Sequence, residues 1–228
     1  MVTCNVSVGN NSQRMYPFGM TKGLKLQKKA KHSYRHGDLK EALIQAAVSS
    51  ITKSGEIEFS LRDLAEKVGV SHAAAYRHFS SKKEILFEIA HDGFLKLNQA
   101  FAAILEKEAS DIVSLGVAYV KYAIENPIHF KIMFHPDLKI DVTHPELISV
   151  GSQTFLSLKN CVENNKRAGK FGDDSVEDLS IAAWSLVHGL AILAVNGNLK
   201  PLPDGTSVSS DTIAVKVACI LVNGLRKR

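Results

Sequence analysis

Apolar positions along this chain return every three or four residues, and the breaks between periodic stretches fall on Gly, Pro and polar clusters. That spacing is the mark of helices with one buried face rather than of half-buried strands, whose side chains alternate. The first predicted helix covers 38–53, with Leu39, Ala42, Leu43, Ala46 and Ile51 on one face, Asp38 as N-cap and Glu41 three residues on. The same signature recurs at Ser60 with Asp63 and at Ser81 with Glu84. In each case a side-chain oxygen can satisfy a free backbone N–H while an acid sits in the first turn.

Ser60 opens a short helix with Leu61, Leu64, Ala65 and Val68 inward. It ends at Gly69, where a residue without a Cβ can turn the chain sharply. Ser71 then caps a second short helix, 72–79, and Ser81 starts a long one reaching Lys107. Further helices are predicted at 111–126, 127–135, 145–168, 175–196 and 209–226, with Pro127 suited to a first turn. Breaks are expected at His135-Pro136-Asp137 and His144-Pro145, and a loop at 197–210. The expected fold is all-α, with three compact helices in the first third and a larger helical half after them.

Composition narrows the picture. Of 228 residues, 45% are hydrophobic and 22% charged, a balance that supports a substantial core. Cys4, Cys161 and Cys219 are odd in number and far apart, so neither a disulfide framework nor a zinc knuckle is expected. No run reaches the ~18 apolar residues of a membrane span, and the first thirty residues lack the apolar core of a secretory signal. A cytoplasmic protein with no membrane partner is expected.

Net charge is +5, and its distribution matters more than its size. Residues 1–37 hold seven Lys/Arg (Arg14, Lys22, Lys25, Lys28, Lys29, Lys31, Arg35) and no Asp or Glu, whereas the rest carries 21 Lys/Arg against 23 Asp/Glu. A basic arm over 1–35 is therefore expected, either a solvated tail or an arm that neutralises phosphates. Met15 and Met20 are alternative start positions.

Two short helices joined by a glycine turn, behind a longer one, outline a helix-turn-helix over 61–80. The residues themselves are more specific. LRDLAEKVGVSHAAAYRHFSSKKEIL (61–86), preceded by GDLKEALIQAAVSSITKSG (37–55), resembles the TetR/AcrR family of bacterial transcriptional regulators. Ala65, Gly69-Val70-Ser71, Tyr76, His78-Phe79, Ser81 and Lys82 stand in that family's order and spacing. YVKYAIENPIHFKIMF (119–134) and AAWSLVHGLAIL (182–193) are similar to a subgroup marked by Trp-x-x-x-His-Gly, here Trp184, His188 and Gly189.

The resemblance implies a DNA-binding domain over 36–83 and a ligand-sensing and dimerisation domain over 84–228. It implies that Ser71 and His72 open the recognition helix in the major groove, with Ala73 low enough to touch a thymine methyl. Tyr76 and Lys82 match positions that hold the DNA backbone, Arg77 reaches a base or a phosphate, and Arg62 is a further groove contact. Ala75 is expected to turn into the core, where the family often has a larger apolar residue, and Phe79 to plug it. Ala74 is left open.

The last two helices are apolar on more than one face and therefore need more than one neighbour. They are expected to build a four-helix homodimer interface, so that two recognition helices about one DNA turn (~34 Å) apart read a palindromic operator. A small-molecule effector is expected among the middle helices, with Tyr122, Phe130, Met133, Phe134, Phe155 and Trp184 as wall candidates and His188 as a polar handle. The alternative is a DNA-binding regulator without an effector: an activator, an architectural factor or one controlled by a protein partner. Nine histidines form neither HExxH nor an HxH pair, and there is no P-loop or GxSxG, so no metal, cofactor or catalytic residue is expected.

Overall fold

The computed structural model describes residues 36–109, 111–138, 144–199 and 210–225. The basic arm over 1–35 and most of the predicted 197–210 loop lie outside the described residues. Among these residues the regular elements are helical, in the order α1 (His36–Ser54), α2 (Leu61–Val68), α3 (His72–Tyr76), α4 (Lys82–Leu105), α5 (Ile112–Glu125), α6 (Pro127–Met133), a 3₁₀ turn (Pro136–Leu138), α7 (Pro145–Arg167), α8 (Val176–Val195) and α9 (Ser210–Leu225).

The first three helices share one small core. Leu39, Leu43, Ala47 and Ile51 recur every four residues on α1, and all are buried. The α2 helix contributes Leu61, Leu64 and Ala65. Its start is a complete capping box between Ser60 and Asp63, and its end is Gly69 at φ 80°. There the Gly69 N–H reaches the Ala65 and Glu66 carbonyls, a left-handed conformation that disfavours a side chain.

From this core α4 runs for 24 residues, about 36 Å at 1.5 Å per residue. Lys40 on α1 pairs with Glu88 near its start at 2.7 Å, while Asn98 further along donates to the Val150 carbonyl of α7 at 2.9 Å. The α6 helix sits close against its middle: a Cβ on Gly93 would come within 2.6 Å of the Met133 sulfur. On the far side α5 packs against α8 and α9. Gly116 allows that approach, with Val187 3.2 Å and Ala218 3.5 Å from where its Cβ would be. One rigid helix thus belongs to both the small core and the large one.

Several boundaries differ from the sequence reading. The first helix begins at His36, so Asp38 lies inside the first turn and complements the dipole instead of capping. The recognition segment is helical only over His72–Tyr76, not 72–79, because His78 and Phe79 both donate back to the Ala75 carbonyl and tighten the chain into a turn. At Ser81 the cap forms, but the Glu84 carboxylate turns to Ser80, accepting from its N–H at 2.7 Å and its hydroxyl at 2.5 Å. These bonds hold the Glu84 carboxyl below its ordinary pKa. By length and composition α8 could cross a membrane. Here it packs against α5, α7 and α9.

Candidate DNA interface and ligand cavity

The helix-turn-helix presents a narrow polar face built around the short α3. Ser71 caps it, its hydroxyl accepting from the Ala74 N–H at 3.2 Å. The three alanines that follow divide by periodicity: Ala73 is exposed, Ala74 half-buried and Ala75 0% exposed. Phe79 is also buried, and Tyr76 stands 55% exposed beside the exposed Arg77. The face therefore offers hydroxyl, imidazole and guanidinium groups around an alanine that adds almost no height.

Arg62 and His72 share an acid. Glu66 Oε1 lies 3.4 Å from Arg62 Nε and 3.5 Å from His72 Nε2, bridging α2 to the start of α3. All three side chains are well exposed, so this bridge is weakly held. Lys82 is more committed. Its ammonium donates to the Ile57 carbonyl at 2.5 Å, lies 3.3 Å from Glu58 and sits 5.4 Å from the Phe59 ring centroid. It ties the start of α4 to the segment before α2.

The larger half holds a partly open cavity of about 330 Å³ among α4 to α9. Phe94 and Phe101 come from α4, Tyr119 from α5, Met133 from the end of α6 and Phe134 from just after it, Phe155 from α7 and Trp184 from α8. At its polar edge the Tyr119 hydroxyl lies 2.7 Å from His188 Nδ1, and the Trp184 indole N–H reaches the Tyr119 oxygen at 3.5 Å. Burial lowers the pKa of His188 and raises that of Tyr119. An unprotonated Nδ1 accepting from a neutral phenol fits both shifts.

Two family models match this chain: bacterial regulatory proteins of the tetR family over residues 43–89, and the tetracyclin repressor-like C-terminal domain over 112–215. The chain belongs to the TetR family. The HTH-type transcriptional regulator YobS of Bacillus subtilis is 27% identical over 193 residues, spanning 84% of this chain and 97% of the relative. A Rhodococcus sp. RHA1 protein of unknown function has a solved structure with a TM-score of 0.72 at 27% identity, covering 86% of this chain and all of that one. A tetR-family regulatory protein of Rhodococcus RHA1 shares the fold, with a TM-score of 0.67 at 18% identity over 83% of this chain and 98% of the other. The family model and the relatives named regulators describe transcriptional regulators with a DNA-binding domain.

Within this TetR-family fold, Arg62, Ser71, His72, Ala73, Tyr76 and Arg77 all lie exposed, and Lys82 is partly covered. Of the ligand candidates, Met133, Phe134, Phe155 and Trp184 line the cavity. Phe130, Tyr122 and His188 do not. Phe130 is fully buried behind the wall, its ring 5.1 Å from Phe134 and 5.5 Å from His188. Tyr122 faces the α4–α6 contact, where a Cβ on Gly93 would stand 3.2 Å from its hydroxyl. His188 acts through Tyr119, which the sequence reading passed over although it opens the quoted 119–134 motif. Phe94, Phe101 and Thr154 were missed as well. Their only sequence signal is helical periodicity, which marks a buried face without saying what that face encloses.

Proposed function

We propose that this TetR-family regulator is a ligand-responsive repressor, which binds a palindromic operator as a homodimer in the cytoplasm and is released by a small molecule. The observation that carries the reading is the apolar cavity beside α4: Phe94 and Phe101 belong to the same helix whose first turn holds Lys82. A ligand that prefers one placement of α4 changes the spacing of the two recognition segments, and it does so only by its differential affinity for the two conformers.

In this reading residues 36–83 bind DNA and 84–228 sense and dimerise. Ser71, His72 and Ala73 face base edges, Tyr76 and Lys82 hold phosphates, Arg77 adds a contact, and Arg62 adds another once Glu66 gives way. The homodimer is supported by exposed apolar side chains on the last two helices: Ile181, Leu186 and Leu193 on α8, and Ile220, 68% exposed, on α9. Gly189 and Gly224 have nothing within 4 Å of where a Cβ would stand, so helices of a second copy can approach closely. Such a face suits an obligate interface. The Trp184, His188, Gly189 signature then has a division of labour, with Trp184 in the wall, His188 behind Tyr119 and Gly189 on the dimer face.

A mobility-shift titration tests the reading, using a duplex selected from a random pool. The expected result is a two-fold-symmetric site bound by two chains and released as a cavity ligand is added. Operator binding that no small molecule alters, in a protein that still regulates transcription, contradicts the sensor part.

A further inference from the structure

The wall of the cavity is largely apolar. Among the described residues no Lys, Arg, Asp, Glu or His side chain lines it, and the polar side chains that do are Tyr119, Ser152, Thr154 and Trp184. These are largely engaged already. The Thr154 hydroxyl donates to Asn98 Oδ1 at 2.6 Å, and the Asn98 amide donates to the Val150 carbonyl at 2.9 Å. Trp184 donates to Tyr119, which is bonded to His188. Ser152 is exposed at the rim. The remaining side chains are apolar, and besides Tyr119 five lining side chains (Phe94, Phe101, Phe134, Phe155, Trp184) are aromatic.

An ion entering this space gives up much of its hydration and meets no opposite charge among the described residues, a costly kind of burial. A neutral ring system gives up little and gains contact with ring faces and edges. The volume of about 330 Å³ lies at the lower end of small-molecule sites. A compact ligand fits better than a long chain.

We propose that the ligand of this cavity is a compact, uncharged, largely aromatic or alicyclic molecule, held by apolar contact beside the few polar groups at Tyr119 and Thr154, and that anions and cations of the same shape are excluded. The proposal deepens the ligand-responsive reading, on which it rests for the consequence of binding but not for binding itself.

A matched pair of fluorescent probes tests it. N-phenyl-1-naphthylamine and 1-anilinonaphthalene-8-sulfonate share one skeleton and differ by a sulfonate. The full-length wild type and two cavity-filling variants, Gly151→Leu and Ala183→Leu, are titrated with each. Gly151 lines the cavity, and the nearest atoms to an added Cβ there belong to the Phe94 ring, at 3.5 Å, an ordinary contact. The expected result is saturable binding of the neutral probe, weakened at least about tenfold by either filler, with the sulfonate at least about tenfold weaker in the wild type. The cation 9-aminoacridine is expected not to displace the neutral probe.

A charged probe that binds the wild type as tightly as the neutral one, and loses that affinity in the fillers, overturns the proposal. So does the absence of any filler-sensitive binding of the neutral probe. Operator affinity in the same samples separates the two levels. A neutral probe that occupies the cavity and leaves operator binding unchanged supports this proposal and contradicts the sensor reading. A sulfonate that occupies it and releases operator does the reverse.

Discussion

The Tyr119 hydroxyl lies 2.7 Å from His188 Nδ1, joining α5 to α8 at the cavity edge. With the phenol donating to the imidazole, the same oxygen can accept from Trp184. Removing it leaves two polar nitrogens without their partner in a mostly apolar setting. Tyr119→Phe is therefore expected to lower stability by about 1–3 kcal/mol, read from urea unfolding. A loss within error would mean that water replaces the hydroxyl.

Stability should also fall with acid. Burial pulls the pKa of His188 below 6.5, and burial with repulsion from Lys96 outweighs Asp92 to lower that of His129. A group whose folded-state pKa is depressed stabilises the fold above its unfolded value and loses that contribution as pH falls toward the folded one. The thermal midpoint is expected to hold above pH 6.5 and to decline below it, with a shallower decline in His188→Gln. Equal slopes in the two proteins would assign the acid effect to other groups.

The alanine run yields an opposed pair of outcomes. Ala75 has no exposed surface, so Ala75→Leu overpacks the small core and should cost about 1–3 kcal/mol. Ala73 is exposed. Ala73→Leu should leave the unfolding midpoint nearly unchanged and weaken operator binding by lifting the segment from the groove. Equal thermal penalties in the two variants would contradict this division.

On the DNA face, Tyr76→Phe is expected to weaken binding to all sequences, whereas His72→Ala should mainly relax sequence preference. Lys82→Ala should do more than remove a phosphate contact. It also frees the Ile57 carbonyl and Glu58, so it should lower the thermal midpoint as well as reduce the salt slope by about one. Glu66→Gln should raise affinity at low salt, because an acid that competes for Arg62 and His72 is gone. Anisotropy titrations over a salt series check all four.

Much of this was legible in the sequence because it rests on local rules. Ser60 and Asp63 form the predicted capping box, Gly69 takes the predicted left-handed turn, and Ala75 falls on the buried side of its helix. What stayed hidden depends on several helices meeting. Periodicity places Phe130 and Phe134 inside but does not say that only Phe134 borders the empty space. The Tyr119–His188 bond spans 69 residues, and nothing near either residue announces it. The Lys82 tether likewise needs the segment before α2 folded back against α4.

The measurement closest to the central claim is operator affinity by fluorescence anisotropy, for wild type and Gly151→Leu, with and without a saturating neutral cavity ligand. If the cavity controls the DNA face through α4, the ligand lowers wild-type affinity at least about tenfold, within the usual range of allosteric coupling. The filled variant then binds operator and ignores the ligand. Wild-type affinity that is the same with the cavity occupied and empty would contradict the account.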